Sequence, residues 1–127
     1  MNKFGRSQEK PILDKENLST DNELLSFNFT RLQKGYTVKD SQLPALKGFL
    51  DTLVLLSEQI WQVFKTTQRE SLGCELIRVS QLKRIPKDLT PDMKIFSFRF
   101  SQRGRFLGVR EKNVLFVYFI DPLHQLY

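Results

Sequence analysis

Toward the end of the chain apolar and polar side chains alternate with a period of two. Phe96, Phe98 and Phe100 fall on one face of an extended segment and Ser97, Arg99 and Ser101 on the other, so an apolar surface backs a cationic one. The period upstream is different. Leu43, Leu46, Leu50, Leu53, Ile60 and Phe64 recur at helical spacing with Phe49, Val54 and Leu56 beside them, an apolar stripe too wide for a solvent-exposed helix. Asp40 or Ser41 is a suitable N-cap, and Pro44 is tolerated in a first turn whose amides have no intrahelical partner. Ser57-Glu58 breaks the run into a second short helix carrying Trp61 and Phe64. Before the helices, Leu25, Phe27 and Phe29 alternate with Ser26, Asn28 and Thr30 in a first strand, and Lys34-Gly35 offers a turn ahead of Tyr36 and Val38.

Beyond Gly73 the period falls to two, predicting strands near 74–82, 95–101, 104–111 and 114–121. Residues 83–91 form a loop with two prolines and three basic side chains. The stretch 114–120 is apolar on both faces, as a central strand flanked on both edges and covered by the helices must be. Together these elements predict an α+β fold, a mainly antiparallel four- to five-stranded sheet with two helices packed on one face. Phe27, Phe29, Phe96, Phe98 and Phe100 are expected in the core, as are Trp61 and Cys74. Residues 1–20 are polar and aperiodic, with only Phe4, Ile12, Leu13 and Leu18 to bury, which predicts a flexible tail over 1–23 ahead of a single domain over 24–127.

Charge sharpens this picture. The net charge is +6, and residues 1–59 carry eight basic and eight acidic side chains, so the whole excess belongs to residues 60–127. A basic surplus confined to one half suits a polyanionic partner. No apolar run reaches about 18 residues and Met1 to Lys10 lack the apolar centre of a signal peptide, so the expected compartment is the cytoplasm, with no membrane partner. One cysteine and one histidine argue against a disulfide framework and a structural zinc. No metal or other cofactor is expected.

The candidate chemistry gathers near the C-terminus. Arg99 and Arg105 lie on adjacent predicted strands, and His124 and Tyr127 follow the last one; Lys83, Arg84, Lys94, Arg103, Arg110 and Lys112 extend the basic set as candidate nucleic-acid contacts. RNA is cleaved when its own 2′-hydroxyl attacks the adjacent phosphate, so a catalyst has to remove one proton, stabilise negative charge at phosphorus and protonate the leaving 5′-oxygen. Guanidinium groups suit the charge, since they stay protonated and bridge two phosphate oxygens; histidine is the side chain that exchanges protons near neutral pH, and Tyr127 would stack on a base or orient the phosphate. A plainer reading stands beside this one. Arg99 and Arg105 would then be a solvated sheet face or partners of Glu75 and Asp121, His124 a surface histidine, and Tyr127 a fraying end.

The run Phe98-Arg99-Phe100, then Arg105-Phe106-Leu107-Gly108-Val109-Arg110, the turn Glu111-Lys112-Asn113, the apolar strand 114–120 and the closing Asp121-Pro122-Leu123-His124-Gln125-Leu126-Tyr127 resemble the RelE/ParE toxin superfamily of bacterial toxin–antitoxin pairs. Specific similarity covers about 35 C-terminal residues, with looser agreement in topology from residue 24; residues 1–23 have no counterpart. The resemblance implies a growth-inhibiting endoribonuclease (an mRNA interferase) acting on mRNA, with the ribosome as a further partner in the RelE branch, and a cognate antitoxin covering its basic face. For the ParE branch it implies inhibition of DNA gyrase. A noncatalytic nucleic-acid-binding adaptor is the third expectation.

Overall fold

The computed structural model describes residues 19–66 and 68–127. Strands β1 (Ser26–Asn28), β2 (Cys74–Arg78), β3 (Lys94–Arg99), β4 (Arg105–Glu111) and β5 (Val114–Asp121) pair in the order β1-β5-β4-β3-β2. Helix α1 (Leu43–Ser57), a 3-10 turn over Trp61–Lys65 and the single-turn helix α2 (Gln68–Ser71) lie between β1 and β2 in the chain. The class is α+β. Three of the four strand pairings are antiparallel, but β1 runs parallel to β5, with Ser26 opposite Val114 and Asn28 opposite Phe116, so the sheet is mixed. β5 is an interior strand, flanked by β1 and β4, as its two apolar faces require.

One face of the sheet meets the helices through aromatic edges. The Phe49 ring of α1 stands 5.2 Å from Phe106 and 5.7 Å from Phe100, Trp61 is 5.4 Å from Phe96, and Phe64 is 5.5 Å from Phe98. Edge-to-face pairs of this kind stabilise beyond the area they bury. Trp61 is fully enclosed, and its indole N–H donates to the Asn113 carbonyl at 2.8 Å. The opposite face carries a second core of Ile77, Ile95, Leu107, Val109, Tyr118 and Phe119, covered by Val79, Leu82 and Leu89 from the β2–β3 connection and by Leu126.

Several local expectations change. The strand expected over 74–82 ends at Arg78, whose amide donates to Gln81 Oε1 at 2.9 Å; the chain then turns, and Val79 and Leu82 fold over the second core. Asp40 does not cap α1, because its carboxylate accepts bonds from the Thr37 amide and hydroxyl at 2.9 and 2.7 Å; Gln42 holds the N-cap position without a side-chain bond. Phe29 lies past the end of β1 and is 37% exposed. Of the expected tail, residues 1–18 lie outside the described residues, whereas Thr20 and Asp21 are buried against the domain.

A register shift between Leu107 and Gly108 sets Leu107 opposite Phe119 and Gly108 opposite Val117, which sends both Tyr118 and Phe119 into the second core. Gly108 makes this close approach possible. A Cβ there would lie 2.5 Å from the Phe116 carbonyl oxygen.

Candidate functional site

β3 and β4 set Arg99 directly opposite Arg105, and β5 sets Asp121 opposite Arg105. Like charges facing each other across an antiparallel pair are destabilising unless something compensates them. The carboxylate in register does not. Asp121 is turned to the chain end, its oxygens accepting the amides of Gln125 at 2.8 and 3.0 Å and of Leu126 at 3.0 Å. Among the described residues neither arginine makes an ion pair; Arg105, only 8% exposed, donates Nη1 to the Gly104 carbonyl at 2.9 Å. A largely buried, unpaired guanidinium is costly, and an anion between the two arginines would relieve both the burial and the repulsion.

The space for that anion is a cleft of about 300 Å³ lined by Glu70, Gly73, Cys74, Glu75, Arg99 and Arg105. α2 contributes Glu70. Gly73, with φ of +73°, turns the chain into β2, and its carbonyl accepts the Arg99 amide at 2.8 Å. Cys74 pairs with Phe98 and its side chain packs in the core on the helix face, where burial pushes the thiol up to about 12, so it stays uncharged at neutral pH. The titratable carboxylates of the cleft are Glu70 and Glu75, both exposed.

Tyr127 closes the site from behind. Its hydroxyl lies 2.6 Å from Ser97 Oγ and donates to Glu75 Oε1 at 3.0 Å. With the single phenolic proton given to Glu75, Ser97 is the donor of the shorter bond. Burial raises the Tyr127 pKa, the Ser97 bond and the Arg105 charge lower it, and Glu75 raises it; the net shift is upward, so the phenol stays protonated around neutrality. The fraying end of the plainer reading is thus a half-buried anchor. The His124 ring meets the Tyr127 ring edge-on at 4.7 Å, and its buried Nε2 has no hydrogen-bond partner among the described residues. His124 takes a left-handed backbone conformation, φ +56°, in the turn held by Asp121.

Arg99, Arg105, His124 and Tyr127 therefore come together on one end of one sheet face, but only the arginines line the cleft. His124 sits a ring behind, edge-on against the tyrosine that holds Glu75. Glu75 was expected only as a structural partner of an arginine; its register opposite Ser97, invisible in the alternation, brings it to the site. Arg103 joins this end by donating to the Leu123 carbonyl at 3.3 Å, and Lys83 lies alongside through its amide bond to the Leu126 carbonyl at 2.7 Å. Exposed Arg84 leans over the Tyr36 ring at 5.4 Å.

The other basic candidates lie elsewhere. Lys94 starts β3 and Lys112 follows β4, both at the far end of the sheet; the seven steps along the chain from Arg105 to Lys112 span about 23 Å. Arg110 faces the helices. Its Nη2 donates to Asp21 Oδ1 at 2.8 Å and Thr20 Oγ1 at 3.1 Å, its Nε to the Lys112 carbonyl at 2.7 Å, and its guanidinium lies 4.4 Å from the Trp61 ring centre. The expected role of Arg110 in nucleic-acid contact gives way to a structural one: it is 7% exposed on the opposite face from Arg105. One continuous basic surface does not form.

Among the described residues no group of three or more His, Cys, Asp or Glu side chains is placed to hold a metal ion, and no helix is long and apolar enough to cross a membrane. No protein-family model, curated protein or solved structure matches this chain, so its chemistry is read from the residues it assembles.

Proposed function

We propose that this chain is a RelE-like toxin: a metal-independent endoribonuclease that cleaves mRNA in the cytoplasm, with or without the ribosome, and is held inactive by an antitoxin protein covering the cleft. What supports the reading is above all the opposed pair Arg99 and Arg105, unpaired at the mouth of a cleft that also holds Glu75. The two guanidiniums bind the scissile phosphate and stabilise the charge that grows on it. Glu75, steadied by Tyr127, accepts the proton of the attacking 2′-hydroxyl; the same proton then serves the departing 5′-oxygen, so one carboxyl group acts first as base and then as acid. His124 orients Tyr127 and reaches the reaction through it.

Single-turnover cleavage of mRNA, with and without ribosomes, tests this reading. Glu75→Gln keeps an acceptor for the tyrosine hydroxyl but not the base, and is expected to slow cleavage by about 10²–10⁴-fold with RNA binding retained. His124→Ala is expected to cost about tenfold or less. Full activity of Glu75→Gln removes the carboxylate from the mechanism, and equal losses in both variants return the proton transfer to His124. No cleavage by the wild type under either condition transfers the fold to a gyrase-binding or adaptor role.

A further inference from the structure

Helix α1 buries Phe49 and Leu56 against the sheet and leaves a second apolar stripe facing outward. Leu43 is 80% exposed, Leu50 58% and Val54 62%. At 100° per residue these three fall within about 40° of one another on the helical wheel, with Lys47 and Asp51 along one margin of the stripe. Lys47 and Asp51 are exposed, and neither makes an ion pair among the described residues. An apolar seam bordered by one unpaired cation and one unpaired anion is a surface with an orientation built in.

We infer that α1 docks antiparallel onto α1 of a second copy of this chain, forming a weak two-fold dimer. A two-fold axis crossing the helix at the level of Gly48 and Phe49 brings Leu43 against Val54 of the second copy, at both ends of the seam, and Lys47 beside Leu50 and Asp51 of the second copy. The patch is thus complementary to itself, which is the condition an isologous interface must meet. In the parallel alternative the charged margins of the two copies fall on opposite sides of the seam and Lys47 does not meet Asp51, so the attraction between them selects the antiparallel arrangement. The contact leaves the cleft of Arg99 and Arg105 open, because α1 packs on the other face of the sheet. One helix face is a small interface, which points to dissociation in the micromolar range or weaker.

Sedimentation equilibrium of the full chain from about 1 to 300 μM tests the inference, with circular dichroism confirming that each variant is folded. The wild type is expected to shift from monomer to dimer across this range, and Leu50→Glu to remain monomeric. Lys47→Asp and Asp51→Lys, taken singly, each set like charges together twice per dimer and are expected to weaken association about tenfold or more; combined, they should restore it. Val54→Ser provides a second apolar test that adds no charge and should also weaken the dimer. A wild-type monomer at every concentration overturns the inference and leaves the stripe to a helix of a different protein. A dimer insensitive to Leu50→Glu, or a combined swap no better than the single ones, overturns it as well.

Discussion

Asp21→Ala should be among the most destabilising single changes available outside the aromatic core. The Asp21 carboxylate bridges Arg110 at 2.8 Å and Lys65 at 2.9 Å, and the side chains of Arg110 and Asp21 are only 6% and 12% exposed. Removing one partner of a buried ion pair costs about 3–5 kcal/mol, because the remaining charge stays buried without compensation. Arg110 keeps the Lys112 carbonyl, the Thr20 hydroxyl and the face of Trp61, which places the loss near the lower bound, about 3 kcal/mol. Lys65, 40% exposed, regains water and adds little. For a chain of this size such a loss lowers Tm by about 10–15 °C. Urea unfolding followed by tryptophan fluorescence measures it, since Trp61 lies against the guanidinium. The pH dependence provides a second check. Burial raises the Asp21 pKa, but the bonds and charges of Lys65 and Arg110 outweigh it and hold the carboxyl below its ordinary value. A lowered native pKa contributes stability above the unfolded value, and that contribution is lost as pH falls through the folded one. Wild type and Asp21→Ala should therefore differ most near neutrality and converge in acid below the ordinary carboxylate range. A difference under about 1 kcal/mol at pH 7, or one that does not shrink in acid, would show that solvent already screens the pair.

Gly108→Ala should destabilise by about 1–3 kcal/mol or more, since the new Cβ meets a backbone oxygen that cannot step aside; a urea midpoint equal to wild type would mean that the β4–β5 register slips to make room. RNA affinity should fall steeply with salt. If Arg99, Arg103, Arg105 and Lys83 neutralise about four phosphates of a single strand, binding weakens about 50-fold between 50 and 200 mM salt, and an affinity flat across that range would reject this end of the sheet as the binding surface. Lys112→Ala, at the far end, should leave both the affinity and its salt slope unchanged.

A period of two assigns a residue to a face of a sheet, and most of what could be foreseen here follows from that alone. Phe96, Phe98 and Phe100, and Arg99 between the last two, follow from it. The same period sets Arg110, an odd interval of five residues from Arg105, on the opposite face, a consequence that its grouping with the other basic residues as one nucleic-acid set passed over. Alternation says nothing about register, and the cleft is a matter of register. Glu75 belongs to the site because Cys74 pairs with Phe98, which puts Glu75 across from Ser97 and within reach of Tyr127. Slipping β2 by two residues would keep every face assignment and lose the site. The parallel pairing of β1 likewise depends on the path the chain takes over the helices, and the shift at Leu107 and Gly108 on one backbone approach that only glycine permits. Asp121 shows the same limit from the opposite side: its position opposite Arg105 suggests an ion pair, yet two amides of its own C-terminal turn hold it first. Local bonds formed within five residues require little chain ordering, whereas a pair closed across strands depends on the whole sheet. That competition leaves Arg105 without its carboxylate, and an unpaired guanidinium facing a second one is the arrangement that an anion at this end of the sheet would relieve.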